Sequence, residues 1–225
     1  MKIAIHQPNF LPWLGYFYKI SKVDLFVFLD DVQYIKRGFI HRNKIRSGNE
    51  AKWLTCSVIT KGEYYQTIKD AWYSEPKLTE ERIFGLLYAN YKKANYYKKY
   101  IEFLHDTLDL QNMSLADQNI KLITAIMNEL KIPTDWIRSS ELEKIDGTAT
   151  ERLISICKRT GADSYLAGFG AINYQDDELF RQAGIIPLKS DFVHPVYSQV
   201  GEGFISNLSI IDFLFNAGNN PFLTL

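Results

Sequence analysis

Two short apolar runs near the start of the chain, KIAI at residues 2–5 and LFVFL at residues 25–29, constrain the fold more than any other feature. Continuous apolar runs of this length are typical of strands buried on both faces of a parallel sheet. The segment WLGYFYKISKV between them carries apolar residues at near-helical spacing, which predicts a helix. A strand, a loop, a helix and a strand within about thirty residues have the size of a βαβ unit, so we expect two parallel strands.

A second alternation of strands and helices follows in the C-terminal half of the chain. TDWIRSSEL predicts a strand, GTATERLISICKRTGAD predicts a helix that ends at Gly161, and SYLAG predicts another strand. A helix within FGAINYQDDELFRQAG and a closing strand in IIPLKSDF complete the pattern. The alternation favours an α/β fold with an open, mostly parallel, Rossmann-like sheet and helices on both faces. RSGNE indicates a turn between two further strands, the second of which is KWLTCSVI.

The middle of the chain has helical periodicity, which predicts a helical insertion or cap beside the sheet. Thr79 has the character of a helix N-cap, and Ser114 with Asp117 fits a capping box. The tyrosine-rich segment YANYKKANYYKKY is interpreted as a solvated helix face, and the alternative is a groove for nucleotide or nucleic acid in which tyrosines stack on bases. We interpret residues 1–225 as a single α/β domain with a helical subregion at about 79–132.

Composition restricts the classes of partner. Lys and Arg together number 26, as do Asp and Glu, so no net field attracts nucleic acid or an acidic membrane. Since no apolar run approaches the roughly 18 residues of a membrane helix, we expect no membrane span. Cys56 and Cys157 stand far apart and outside any metal-binding or CxxC spacing. These features indicate a reduced, cytoplasmic protein, and they leave the oligomeric state open.

Three loops should meet at one edge of the predicted sheet, because the carboxyl ends of parallel strands share an edge and ligands bind there. They are residues 6–16, 30–43 and 168–174, and the tail DFVHPVYSQ can arrive beside them. If they converge, one cleft contains polar and aromatic residues from distant parts of the chain.

The first loop combines polar and aromatic residues directly after a buried strand. Polar groups at a strand end need partners, so His6 and Gln7 are either satisfied structural residues or site residues. Gly15, at the predicted helix start, lets a ligand reach the N–H groups that bind phosphate, or it relieves crowding between helix and strand. The candidates here are His6 for catalysis and, for ligand binding, Gln7, Asn9, Trp13, Gly15 and Tyr16.

The second loop mixes acidic and basic side chains. Asp30 and Asp31 are adjacent in extended chain and therefore point to opposite sides, so at most one of them faces the site, where it can bind an amine, hydroxyls or Mg²⁺. Its arginines suit phosphate or carboxylate, and the alternative is a solvated basic loop. The candidates are Asp30 and Asp31 for catalysis and Tyr34, Arg37, Arg42 and Asn43 for ligand binding.

The third loop and the tail add weaker candidates. In LAGFGAINYQ the position of a third glycine is Asn173, so the dinucleotide-binding fingerprint fails, although an anion-binding nest stays open. His194 precedes a proline, which makes its backbone extended. No metal ligands are assigned. The candidates are Gly168, Gly170 and Tyr174 in the loop and His194, Tyr197 and Gln199 in the tail.

Motifs along nearly the whole chain resemble the WbqC-like protein family. The resemblance lies in HQPNFLPWLGYF, DLFVFLDDVQY, HRNKIRS, WLTCSV, GADSYLAGFGAINY, DFVHPVYSQ and SIIDFLFNAG. Relatives often carry a serine before the first glycine of the third loop, where this chain has Ala167, and that departure weakens any role for a hydroxyl. The family occurs in gene clusters for bacterial surface polysaccharide (O-antigen, part of lipopolysaccharide).

A more distant resemblance concerns FLPWLGYF, which is similar to the P-x-x-G-H region of HIGH-type nucleotidyltransferases. In that superfamily a strand, loop and helix hold ATP phosphates, which implies ATP with Mg²⁺ as a cofactor, although the residues themselves leave the cofactor unknown. Trp13 and Tyr16 replace the two histidines, which puts histidine-assisted adenylyl transfer in doubt unless His6 or His194 serves instead.

Together the residues and the resemblance lead to one expected function and one alternative. We expect a transferase that adds an acyl or aminoacyl group to the amine of a nucleotide-activated amino sugar, with an acyl or amino-acid donor as its second partner. An aspartate would hold or deprotonate the ammonium, arginines would bind phosphate, and His6 or His194 would act as acid or base. The alternative is a non-catalytic protein that binds a nucleotide sugar or assembles the same pathway.

Overall fold

The computed structural model describes residues 1–168 and 175–219, and a sheet of parallel strands lies at its centre. The strands are β1 (Lys2–His6), β2 (Leu25–Phe28), β3 (Arg42–Ser47), β4 (Glu50–Thr55), β5 (Asp135–Arg138), β6 (Ser164–Ala167) and β7 (Ile186–Lys189). The helices are α1 (Leu14–Ser21), α2 (Pro76–Tyr91), α3 (Tyr97–Thr107), α4 (Leu115–Glu129), α5 (Ala149–Thr160), α6 (Asp177–Gln182) and α7 (Ile210–Ala217).

The central sheet has the order β5-β2-β1-β6-β7, and all of its neighbouring strands are parallel. Counted along the chain, these five strands lie in the order 3-2-1-4-5, which is the order of a doubly wound, Rossmann-like sheet. The predicted α/β class and the open parallel sheet are therefore confirmed. A separate antiparallel hairpin pairs β3 with β4 across the turn at Gly48, as the RSGNE segment predicts.

Alternation along each strand divides the core between the two faces of the sheet. Ala4, Phe26 and Phe28 pack on one face with α1, α4, α7 and the hairpin. Ile3 and Val27 point to the other face, where α5 and α6 cover them. Residues on β1 and β2 thus supply both layers, and this explains why their sequences are continuously apolar.

The helical middle of the chain forms α2, α3 and α4, which belong to the larger of the two core layers. The prediction that Thr79 is an N-cap was wrong, because α2 begins at Pro76, a residue that favours the first helical position. The N-cap at Ser114 is confirmed, since its Oγ accepts from the Asp117 backbone N–H and donates to the Asp117 carboxylate. Gly161 ends α5 with a φ of 71°, as predicted.

The predicted absence of a membrane span agrees with the helices of the described residues. Within residues 1–168 and 175–219, every helix is too short or too polar to cross a bilayer. Cys56 and Cys157 are both buried and both free.

Candidate functional site

The strand order creates a switch point between β1 and β6. From β1 the chain continues outward through β2 to β5, whereas from β6 it continues in the opposite direction to β7. Loops that leave the carboxyl ends of β1 and β6 therefore diverge, and a crevice opens between them, which is the usual ligand position in doubly wound sheets. His6 is the last residue of β1, and Gly168 directly follows β6.

A cavity of about 170 Å³ occupies this crevice, and we refer to it as the switch-point cavity. Its lining combines three ionisable or hydrogen-bonding groups from the first loop and α1 with apolar side chains from the sheet and the tail. The described residues that line it are Ile5, His6, Trp13, Gly15, Tyr16, Lys19, Tyr165, Gly168, Ser190 and Phe192. The first loop, the start of the third loop and the tail thus converge as the sequence predicts.

Helix α1 presents three of these residues on one face. Lys19 lies one turn after Gly15 and Tyr16, so the three residues fall on the side of the helix that faces the crevice. Trp13, at the N-cap, folds its indole over Gly15, where an added Cβ would lie 2.5 Å from Trp13 Cη2. The space above Gly15 is therefore filled by the indole, and only glycine allows it to lie there.

Polar contacts fix the first loop before any ligand arrives. Leu11 adopts a left-handed φ of 39°, which is strained for a residue with a branched side chain. Its carbonyl accepts from Asn43 Nδ2 and from Ser209 Oγ, each at 2.8 Å, and Asn119 Nδ2 donates to the Pro8 carbonyl at 2.8 Å. Asn43, a predicted ligand-binding residue, thus uses its amide nitrogen to hold the loop that carries Trp13.

His6 is neutral near pH 7 in this environment. Burial, together with the nearby charge of Lys19, lowers its pKa to about 3. Its Nδ1 lies 3.0 Å from the Gln7 carbonyl oxygen, which can only accept, so Nδ1 carries the proton and Nε2 is the acceptor. Tyr16 packs edge-on against the imidazole and donates its hydroxyl to the same Gln7 carbonyl, which orients the ring.

Lys19 is a site residue that the sequence reasoning missed. Its side chain is almost fully buried, and burial lowers its pKa to about 7. The Nζ atom lies 5.9 Å from the ring centre of Tyr16 and 5.7 Å from that of Phe26, so two aromatic faces provide partial stabilisation. Among the described residues it forms neither a salt bridge nor a hydrogen bond. The available signal was its position one turn after Gly15, within the aromatic helix face of GYFYKI.

A second cavity of about 400 Å³ adjoins the first, and we refer to it as the tail cavity. Its described lining residues are Trp13, Phe39, Asn43, Phe192, His194 and Asn207. Trp13 and Phe192 line both cavities, and their ring centres lie 5.3 Å apart. His194 stacks on Trp13 at 6.5 Å, so the tail does reach the first loop.

Asp30 and Asp31 lie at the end of β2, outside the linings of these two cavities. Asp30 is completely buried and accepts from the Ser140 backbone N–H at 3.0 Å and from Ser140 Oγ at 2.8 Å. Asp31 accepts from Ser139 Oγ and forms an ion pair with Arg152, each at 2.6 Å. Both carboxylates thus connect β2 to the segment that follows β5 and to α5. Their predicted catalytic role stays a prediction.

The arginines of the second loop also lie outside both linings. Arg42 stacks on Trp53, with its Cζ 4.1 Å from the ring centre, and donates to the Arg37 carbonyl at 2.8 Å. The side chain of Arg37 is exposed. Tyr34 is buried against the imidazole of His41.

Tyr197 and Gln199 belong to a buried group of hydrogen-bonded residues that we call the Asp212 network. The Asp212 carboxylate accepts from Tyr91, Tyr197 and Gln199, each at 2.8 Å. Arg46 extends the network by donating to Gln199 Oε1 at 3.0 Å and to backbone carbonyls. Burial raises the pKa of Asp212, while its three donors oppose that rise. These contacts satisfy the polar groups internally.

The remaining predicted residues do not share one location. Asn9 is buried in the first loop, and Gln7 lines a third cavity of about 260 Å³ that also includes Arg152 and Thr150. Gly168 lies in the switch-point cavity. Gly170 and Tyr174 lie outside the described residues.

ATP with Mg²⁺, the cofactor implied by the second resemblance, requires metal ligands and room for phosphates at the start of α1. In the described part of the chain, no three His, Cys, Asp or Glu side chains come together in a way that could hold a metal ion. The indole of Trp13 lies over Gly15 at the start of α1, where the superfamily resemblance would place phosphates. The described residues therefore do not fit this cofactor at α1.

Comparisons with known proteins show similarity over nearly the whole chain. The uncharacterized protein Rv1507c of Mycobacterium tuberculosis is 34% identical to this chain over 219 residues, which covers 96% of this chain and 94% of the relative. No solved structure matches the chain significantly. The WbqC-like protein family matches residues 7–222, which include the first loop from Gln7 onward, α1 and the tail. The chain belongs to the WbqC-like protein family.

Proposed function

We propose that this protein is a transferase that adds an acyl or aminoacyl group to the amine of a nucleotide-activated amino sugar in surface-polysaccharide biosynthesis. The observation that carries the proposal is the switch-point cavity, where a neutral imidazole with an acceptor nitrogen lies beside a buried lysine. Polar groups of this kind, in a cleft at the switch point, are the signature of a ligand site.

The paired cavities support an elongated ligand. A nucleotide sugar has a flat base at one end and a sugar at the other, joined by a diphosphate. The switch-point and tail cavities adjoin at Trp13 and Phe192, so a ligand that extends through both passes these two rings. Aromatic faces bind bases and sugar rings through stacking and apolar contact. We therefore assign the base or the sugar to this aromatic wall.

His6 is the proposed base of the transfer. The neutral amine of the sugar attacks the carbonyl carbon of the acyl donor, and a nitrogen–carbon bond forms. The bond between that carbon and the leaving group breaks, and the leaving group departs with the electron pair. The attacking nitrogen loses its proton to His6 Nε2, because the contact between Nδ1 and the Gln7 carbonyl leaves Nε2 free to accept. No step passes through a metal ion.

The test is an assay of purified protein with a panel of nucleotide-linked amino sugars. Each sugar is combined with acyl thioesters, or with amino acids and ATP, and mass spectrometry detects a product heavier by the acyl group. His6→Gln should lower kcat/KM by about 100-fold or more, because general base catalysis contributes on this order. His105→Gln is the matched control, since His105 is exposed on α3.

Two results would contradict the proposal. Tight binding of a nucleotide sugar without product from any donor would favour a non-catalytic binding or assembly protein of the same pathway. That alternative is supported by Asp30 and Asp31, whose carboxylates are engaged in internal contacts. Absence of binding across the whole panel would refute both functions.

A further inference from the structure

We propose that Lys19 forms the anion subsite of the switch-point cavity and binds a phosphate of a nucleoside diphosphate group. The inference rests on the proposed function, because it specifies which part of the nucleotide-activated sugar enters this cavity. It also replaces the sequence-based expectation that Arg37 and Arg42 bind the phosphate, since neither lines the cavity.

Most buried charged side chains of the described residues have hydrogen-bond partners within the protein. Among the described residues, four Lys, Arg and Asp side chains expose less than a tenth of their surface: Lys19, Asp30, Arg46 and Asp212. Asp30 and Asp212 each accept several hydrogen bonds, and Arg46 donates to Gln199 and to backbone carbonyls. Lys19 has no such partner within residues 1–168 and 175–219.

Burial of an unpaired ammonium costs free energy. A ligand that provides the opposite charge offsets this cost. Removal of an ion from water costs several kcal/mol unless another charge or hydrogen bonds compensate for it. The described residues that line the cavity include no carboxylate, so the protonated Lys19 is the dominant charge among them. An anion that enters the cavity would meet this charge where water screens it weakly.

The size of the cavity is compatible with a phosphate group. A water molecule occupies about 30 Å³ of liquid, so a cavity of about 170 Å³ has room for a phosphate group. The rest of the ligand then extends past Trp13 toward the tail cavity.

Gly168 keeps the ammonium accessible from the β6 side. A Cβ at Gly168 would lie 3.5 Å from Lys19 Nζ, so a side chain there would occupy the approach to the charge. The location agrees with the general position of phosphates at the switch point of parallel sheets. Ser190, from the segment after β7, adds a hydroxyl to the same lining.

Binding of an anion should be coupled to proton uptake. The pKa of Lys19 is lowered to about 7, so at pH 8 most of the free protein carries a neutral amine at this position. A bound phosphate favours the charged form and therefore raises that pKa, with uptake of up to one proton. The negative charge of the bound phosphate also offsets the charge of Lys19, which lowers the pKa of His6 in the free protein.

The experiment is calorimetry of the full chain with inorganic pyrophosphate and with uridine, guanosine and thymidine diphosphates. Titrations at pH 8 in two buffers of different ionisation enthalpy measure the proton uptake. Lys19→Met should weaken pyrophosphate binding by roughly 10- to 100-fold and abolish the uptake, in line with a charge-assisted hydrogen bond. Lys22→Met is the matched control, because Lys22 follows α1, lies against Tyr18 and does not line the cavity.

The outcomes separate this inference from the proposed function. Unchanged pyrophosphate affinity in a folded Lys19→Met protein, or no pyrophosphate binding by the wild type, would overturn the anion subsite. Lys19→Arg provides a second variant that retains the charge and should keep part of the affinity. Lys19-dependent binding of pyrophosphate without binding of any nucleotide-linked amino sugar would support the subsite and refute the proposed substrate. Equal nucleotide-sugar turnover by wild type and Lys19→Met would support the function and refute the subsite.

Discussion

The switch-point cavity and the Asp212 network contain similar residue types but treat them in opposite ways. Each has a buried charged group, aromatic neighbours and residues from the first loop or the tail. In the network, Asp212 accepts three hydrogen bonds of 2.8 Å and the surrounding polar groups are satisfied. In the cavity, the Lys19 ammonium has no hydrogen-bond or ion-pair partner among the described residues, and His6 keeps an acceptor nitrogen.

This difference separates stability from binding. A satisfied network has its donors and acceptors paired internally, so a ligand has little to gain from it. Unpaired polar groups that line a cavity retain their interaction energy for a ligand, at a cost to the stability of the free protein. The two regions should therefore respond to removal of their charged group with opposite signs.

The largest expected effect is the loss of stability in Asp212→Ala. Removal of the carboxylate leaves Tyr91, Tyr197 and Gln199 without their acceptor in a buried site, which should lower the free energy of unfolding by about 3–5 kcal/mol. Urea denaturation followed by circular dichroism measures the change. Asp191→Ala is the control, because in the described part of the chain the side chain of this exposed aspartate accepts one hydrogen bond, from the Tyr18 hydroxyl. A loss below about 1 kcal/mol in Asp212→Ala would show that the network does not carry the stability assigned to it.

Lys19→Met should change the free energy of unfolding in the opposite direction at pH 7. Methionine retains much of the side-chain volume without the charge, so the free energy of unfolding should increase by roughly 1–4 kcal/mol. The pKa of Lys19 is about 7 in the folded protein and 10.5 ordinarily. Between these two pH values Lys19 therefore binds a proton in the unfolded chain but loses it in the folded protein. Wild-type stability therefore rises with pH across this window, and the advantage of Lys19→Met should shrink by up to about 1.4 kcal/mol per pH unit.

Urea titrations of both proteins at several pH values between 7 and 10 provide the measurement. Lys22→Met again serves as the control, and its difference from the wild type should not vary with pH in the same way. A pH-independent difference between wild type and Lys19→Met would mean that the folded protein leaves the pKa of Lys19 at its ordinary value. The contrast between cavity and network would then lose its physical basis.

The parts of the fold that the sequence predicts are those that depend on local patterns. KIAI and LFVFL are continuously apolar because both faces of β1 and β2 are covered, and Gly161 ends α5 because its φ is positive. The start of α2 was wrong because Pro76 sets the first turn three residues before Thr79.

The site is harder to predict because its residues are defined by what they contact across the chain. Tyr91 and Asp212 are 121 positions apart, and no local pattern shows that Tyr197 satisfies the same carboxylate. Lys19 was missed because a lysine in an amphipathic helix ordinarily extends to solvent. Its burial follows from the packing of α1 on a face of the sheet, where Lys19 lies over Phe26. The sequence does predict that the first loop and the tail share one edge of the sheet, because strand order determines that property.

The smallest and most discriminating prediction concerns Gly15 and the indole above it. In Gly15→Ala the new Cβ would lie 2.5 Å from Trp13 Cη2, so the ring must move, at a cost of about 1–3 kcal/mol for overpacking. Alanine is intrinsically better than glycine in a helix by roughly 0.5–1 kcal/mol, so the net loss is smaller than the overpacking cost. In a Trp13→Ala background the clash disappears, and Gly15→Ala should become stabilising.

Gly85→Ala provides the matched control, because Gly85 lies within α2 with nothing within 4 Å of an added Cβ. It should stabilise the protein by roughly 0.5–1 kcal/mol in either background. A double-mutant cycle from urea denaturation measures the coupling between positions 13 and 15. The same sign for Gly15→Ala with and without Trp13 would show that the indole does not rest on α1. The entrance to the switch-point cavity, which Trp13 shares with the tail cavity, would then have a different shape.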